Sequence, residues 1–195
     1  LDPTNQELWD HYIRLTHNIL TLGFSEIQLD YIRTFERSQR ENMVMPGRED
    51  FESRYGDIEY TSDIINQFLD HLNEGTRFLE FATDRNFDTA VDMFGVAGIN
   101  EYYSSGDERV YYKEILGQDF PEIARRVDKI YSMAYPSHFS HTLRDSYHAF
   151  NPQIRAAKII LSSADTGITW LESQDISADK LAFYIEDNRQ YDNDM

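Results

Sequence analysis

The sequence predicts an all-α fold, a single-domain bundle of about seven to eight helices. Three observations carry that expectation. Apolar residues recur at helical spacing along most of the 195 residues, alternating strand-like runs are scarce, and helix-start signals recur between the apolar stretches. Pro3 and Thr4 open a first helix with Leu8, Tyr12, Leu15 and Ile19 on one face, ending near Gly23. Ser25-Glu26-Ile27-Gln28 has the form of a capping box and predicts a second helix using Ile27, Tyr31, Ile32 and Phe35, closed before Met45-Pro46-Gly47. Residues 46–61 are polar and glycine-bearing and predict a loop.

After Thr61-Ser62, a stripe of Ile65, Phe68, Leu69, Leu72 and Leu79 predicts a long helix. Gly75 weakens it by about 1 kcal/mol relative to alanine unless a neighbouring helix packs closely there. Residues 88–103 predict a further helix, loosened by Gly95 and Gly98, and 104–107 a turn. Asp119-Phe120-Pro121-Glu122 is the best-marked helix start, with the helix running through Ile123, Val127, Ile130 and Tyr131 to Pro136. A short helix over His141–Phe150, a long one from Asn151-Pro152 through Ile154, Ile159, Leu161 and Trp170, and a last one capped by Ser177 complete the series. Trp9 and Trp170 are expected to pack. Residues 1–186 form the expected domain and 187–195 an acidic, frayed tail.

Charge narrows the partners. Thirty-five acids against eighteen bases give a formal charge of -17, which repels nucleic acid and anionic membranes at long range. The densest basic stretch, Arg33 to Arg40, contains Glu36 and is followed by Glu41. Such acidity also suits a protein kept soluble in high salt. Zero cysteines removes disulfides, thiolate nucleophiles and cysteine-ligated metal centres. No apolar run of 18 residues and no signal-peptide pattern occurs, although the chain starts at Leu1, which leaves room for a removed segment. A cytoplasmic location without membrane contact is expected, and no cofactor.

Three of six histidines fall between His138 and His148. On a helix from about Ser140, His141, Asp145 and His148 share one face, and two imidazoles with a carboxylate could bind a divalent metal. Arg144 and His148, at i and i+4, also form a workable RNA-cleaving pair: an arginine to stabilise phosphoryl charge and a histidine to move a proton, with Tyr147 and Ser146 beside them. Over residues 125–170, with an echo in Arg33-Thr34-Phe35-Glu36, the chain resembles the HEPN-like helical families, with three residues between arginine and histidine where that family usually has four to six. The resemblance implies an RNA-directed domain, an RNase or an inactive binding relative.

Glycine-rich phosphate loops, His-Glu-x-x-His, Gly-x-Ser-x-Gly and di-iron Glu-x-x-His pairs are all missing. Adjacent tyrosines at Tyr102-Tyr103 and Tyr111-Tyr112 cannot both face one core and mark a candidate interaction surface. The expectation is a soluble acidic interaction or regulatory protein, binding a protein partner or itself. DNA is not an expected partner, and RNA is one only under the HEPN-like alternative. A metal-binding helical enzyme is the third reading, so the sequence leaves enzyme activity open.

Overall fold

The computed structural model describes residues 2–34, 44–95, 116–135 and 152–184. Its elements follow in order as α1 (Gln6–Thr21), β1 (Glu26–Leu29), α2 (Arg48–Tyr55), α3 (Thr61–Thr83), β2 (Asp88–Phe94), α4 (Phe120–Arg126), β3 (Lys129–Met133), α5 (Pro152–Ser173), a 3-10 turn (Ala178–Lys180) and β4 (Leu181–Tyr184). The four strands form one parallel sheet in the order β1-β2-β3-β4. The fold is α/β, which corrects the expected all-α bundle. Each strand pairs with the next in sequence, the order found in β/α barrels; a doubly wound sheet reverses its order part-way.

The long helices stand where their periodicity placed them. Asn5 caps α1, its side-chain oxygen accepting from the backbone N–H of Glu7 at 2.8 Å. The buried stripe of α1 is Trp9, Thr16 and Leu20, about one position round from the predicted face, leaving Tyr12 and Leu15 partly in solvent. In α3, Ile65, Phe68, Leu69 and Leu72 are buried as expected, and the Asp63 carboxylate accepts from the N–H of Tyr60 at 2.8 Å. Gly75 meets its condition: a Cβ there would lie 2.8 Å from Cγ2 of Ile13, so α1 packs where the side chain is missing. The predicted loop at 46–61 contains α2, whose Phe51 packs edge-on against Trp9 at 5.9 Å.

Where helices were expected after Ser25, over 88–103, beyond Val127 and after Ser177, the described residues form β1, β2, β3 and β4. Asp119 and Pro121 do start a helix, but α4 ends at Arg126 because Val127 turns extended and leads into β3. Ser177 does cap, accepting from Asp179 N–H at 3.3 Å, yet it opens a single 3-10 turn that passes directly into β4.

The strands carry two different faces. Val91, Met93 and Ile130 point into a core closed by Trp9, Ile64, Phe68 and Leu69 of the N-terminal helices and by Phe120, Ile123 and Leu171. The opposite face, one residue out of phase, carries Glu26 and Gln28 on β1, Asp88 and Asp92 on β2, Lys129 and Tyr131 on β3, and Tyr184 on β4. Helices cover one face of the sheet, as in a β/α barrel, where chemistry sits at the C-terminal ends of the strands. No helix among the described residues is long and apolar enough to cross a membrane.

Candidate functional site

Alternation along β1 and β2 puts Gln28 and Asp92 on the polar face, and the parallel register fixes their offset. Gln28 pairs with Ala90 and Leu29 with Val91. One step further, the register brings Asp30, the first residue beyond β1, beside Asp92. Neighbouring strands run about 4.8 Å apart, so the two aspartates start from adjacent positions on one face. Both lie toward the C-terminal ends of the strands, where parallel α/β sheets place their sites.

Their environments differ. Asp92 is buried, with 6% of its surface exposed, whereas Asp30 is exposed. Burial raises the Asp92 carboxyl above the ordinary aspartate value, the hydrogen bond from Gln28 pulls the other way, and the negative charge of Asp30 adds to the rise. The Gln28 Nε2 donates to Asp92 Oδ1 at 2.6 Å and also to the Tyr184 hydroxyl. Because that N–H needs an acceptor at Oδ1, the proton of a neutral Asp92 sits on Oδ2, which has no hydrogen-bond partner among the described residues.

Below the pair, the face is tied by a polar network. Lys129 Nζ donates to Glu26 Oε2 and lies 3.4 Å from Asp88 Oδ2, and Tyr131 donates to Glu26 Oε1 at 3.0 Å. The Lys129 hydrogen bond holds Glu26 below the usual glutamate value despite partial desolvation. The Tyr131 and Tyr184 rings stack at 5.4 Å between centroids, linking this network to Gln28 and Asp92.

Buried Gln118, 2% exposed, fixes the upper rim. Its side-chain amide donates to the carbonyls of Ile32 at 3.5 Å and Asp92 at 3.3 Å, and its carbonyl accepts from Phe94 N–H at 3.1 Å. The turn after β1 is thereby clamped to β2. Tyr31 sits in that turn at φ 55°, a left-handed conformation uncommon for a large side chain and found where surrounding contacts over-determine the backbone. Beyond β2, a Cβ on Gly95 would lie 2.7 Å from both Ala134 Cα and Met133 O, so only glycine lets the ends of β2 and β3 approach this closely.

Arg144, His148, His141, Asp145 and the tyrosines Tyr102, Tyr103, Tyr111 and Tyr112 lie outside the described residues. No group of three or more His, Asp or Glu able to hold a metal occurs among the described residues. Sequence reasoning passed over Asp30, Asp92, Gln28 and Gln118. A signal was present in Ala90-Val91-Asp92-Met93-Phe94, where an acid interrupts an apolar run.

Fold and site together define a parallel α/β domain with an aspartate pair at the C-terminal edge of its sheet. The family described as a "putative glycosyl hydrolase domain" matches residues 1–191, and the chain belongs to it. Comparison with curated proteins finds no match. This membership overturns both the HEPN-like resemblance and the reading as a non-catalytic interaction protein, and the parallel sheet removes the helical-enzyme setting of the third. The HEPN-like reading took residues 125–170 as helical throughout, whereas Lys129–Met133 form a strand of the parallel sheet.

Proposed function

We propose that this domain hydrolyses glycosidic bonds, with Asp92 as the proton donor and Asp30 as the charged carboxylate partner. The observation that carries the reading is the contrast between two neighbouring aspartates, one buried with raised proton affinity and one exposed. A carboxyl with raised proton affinity beside a second carboxylate is what acid-assisted glycoside cleavage requires. Membership of a glycosyl hydrolase family supports the same chemistry.

In the first step, Asp92 Oδ2 gives its proton to the glycosidic oxygen as the bond from that oxygen to the anomeric carbon breaks. The Asp30 carboxylate attacks the anomeric carbon and forms a glycosyl ester. In the second step, the Asp92 carboxylate takes a proton from water, whose oxygen displaces Asp30 and releases the sugar. Double displacement through a glycosyl ester leaves the anomeric configuration retained, so net retention is the expected outcome. Gln28 keeps Oδ1 occupied and directs the proton to Oδ2.

The test is release of reducing sugar from a panel of oligosaccharides by the parent, D92N and D30N proteins. Each variant should lose about 100- to 10,000-fold in kcat with the circular dichroism spectrum unchanged. Equal turnover by parent and D92N protein would refute the assignment.

A further inference from the structure

The rim beside Asp30 holds an arginine that neither strand needs. Arg33 lies three residues after Asp30 in the turn clamped by Gln118, half-buried, with its guanidinium carbon 5.1 Å from the ring centroids of both Tyr31 and Phe94. Tyr31 is 73% exposed, and Phe94 is the last residue of β2. Several other arginines find oxygens: Arg48 holds Glu52, Arg125 and Arg126 hold Glu122, and Arg85 donates to the carbonyls of Leu20, Gly23 and Phe24. The Arg33 guanidinium has no carboxylate or carbonyl partner among the described residues, and it lies over two rings that hold it in place without engaging its donors in conventional hydrogen bonds.

From this placement we infer that Arg33 and Tyr31 form a subsite for an acidic sugar, a uronic acid whose carboxylate the Arg33 fork receives while the sugar ring lies against Tyr31. The inference rests on the glycoside-hydrolysing reading and names its substrate class. A planar guanidinium matches a carboxylate with two parallel N–H donors, and the two rings already hold the group in place, so little side-chain freedom is lost on binding. Gln118 holds the turn against β2, so the subsite is rigid relative to Asp92. A neutral sugar would leave the fork unsatisfied, which gives discrimination as well as affinity. The formal charge of -17 makes a local cation more telling, because an anionic glycan is repelled at a distance and must be held at short range.

The experiment uses D92N protein, in which turnover is suppressed, and titrates it calorimetrically with trisaccharides of galacturonic and glucuronic acid. Neutral trisaccharides of galactose and glucose, and a sulfated trisaccharide lacking carboxylates, are the comparisons. Binding of a uronate at least tenfold tighter than its neutral counterpart is expected, falling about 10- to 100-fold when R33Q is added and less with R33K, which keeps charge without the fork. Both variants must retain the parent melting temperature within a few degrees, and R33K serves alone where R33Q does not fold. Uronate affinity indifferent to Arg33, preference for the neutral sugars, binding of the sulfated sugar only, or no uronate binding would each overturn the inference. Parent protein that releases no sugar while uronate binding depends on Arg33 would fail the hydrolase reading alone. Hydrolysis of neutral glycans unaffected by R33Q would fail the acidic-sugar inference alone.

Discussion

Asp92 links catalysis to stability through one carboxyl. Its proton affinity is raised in the fold by burial and by Asp30, so between the ordinary aspartate value and the raised one the folded chain binds more protons than the unfolded chain. Stability contributed by the site therefore falls as pH rises through that window. D92N protein, which avoids the buried charge while its side-chain oxygen can still accept from Gln28, should be inactive yet melt higher than the parent at pH 7. The difference should vanish below the ordinary aspartate value, as thermal scans across pH would reveal; D92N melting lower than the parent at pH 7 would contradict it. Asp30 is the second lever. Removing its charge in D30N should lower the Asp92 proton affinity, moving any residual activity's alkaline limb to lower pH, whereas Q28L should move it higher. Glu26 has the opposite sign: Lys129 holds it low, so its contribution is present at neutral pH and lost as pH falls through the depressed value. An E26Q variant should be less stable than the parent at pH 7 and equal to it in acid, by the same scans.

At the scale of elements, the site depends on how the strand ends are joined. Gln118 satisfies Phe94 N–H and the carbonyls of Ile32 and Asp92 from a buried position, so Q118A should cost about 1–3 kcal/mol in chemical denaturation and lower activity by loosening the turn that carries Asp30 and Arg33. A G95A substitution pushes a methyl group onto backbone at 2.7 Å, with no flexible side chain to yield. A comparable loss of about 1–3 kcal/mol is expected. These elements also show how much was legible in the sequence. Two long helices declared themselves, because α1 and α3 each repeat a 3.6-residue stripe over several turns. The strands did not. Parallel strands normally read as continuous apolar runs, but here every second residue faces a polar surface, and four to seven residues are too few to separate period 2 from period 3.6. Ser25-Glu26-Ile27-Gln28 fits a capping box residue for residue, yet Glu26 is drawn to Lys129 and Gln28 to Asp92 across the sheet, contacts between residues 103 and 64 positions apart. No local pattern encodes these, and with them the site stayed hidden.

For the whole molecule, consecutive parallel strands bury one face against helices and present the other as a polar wall, so residues from four strands converge without any sequence motif. Net charge acts at this scale too. A glycan carrying carboxylates approaches a strongly acidic protein against its field, and the Debye length shortens to about 10 Å at 0.1 M salt. The KM for a uronate substrate should therefore fall as ionic strength rises from about 0.01 M to 0.15 M, with KM for a neutral glycan flat over the same range; initial-rate series at fixed pH would read both. The central claim, that Asp92 and Asp30 cleave glycosidic bonds, is tested most directly by measuring reducing-sugar release from a panel of neutral and uronate oligosaccharides by parent and D92N proteins side by side. The account predicts release by the parent and a loss of at least about 100-fold in folded D92N. Absence of release from every oligosaccharide, or equal release by both proteins, would contradict it.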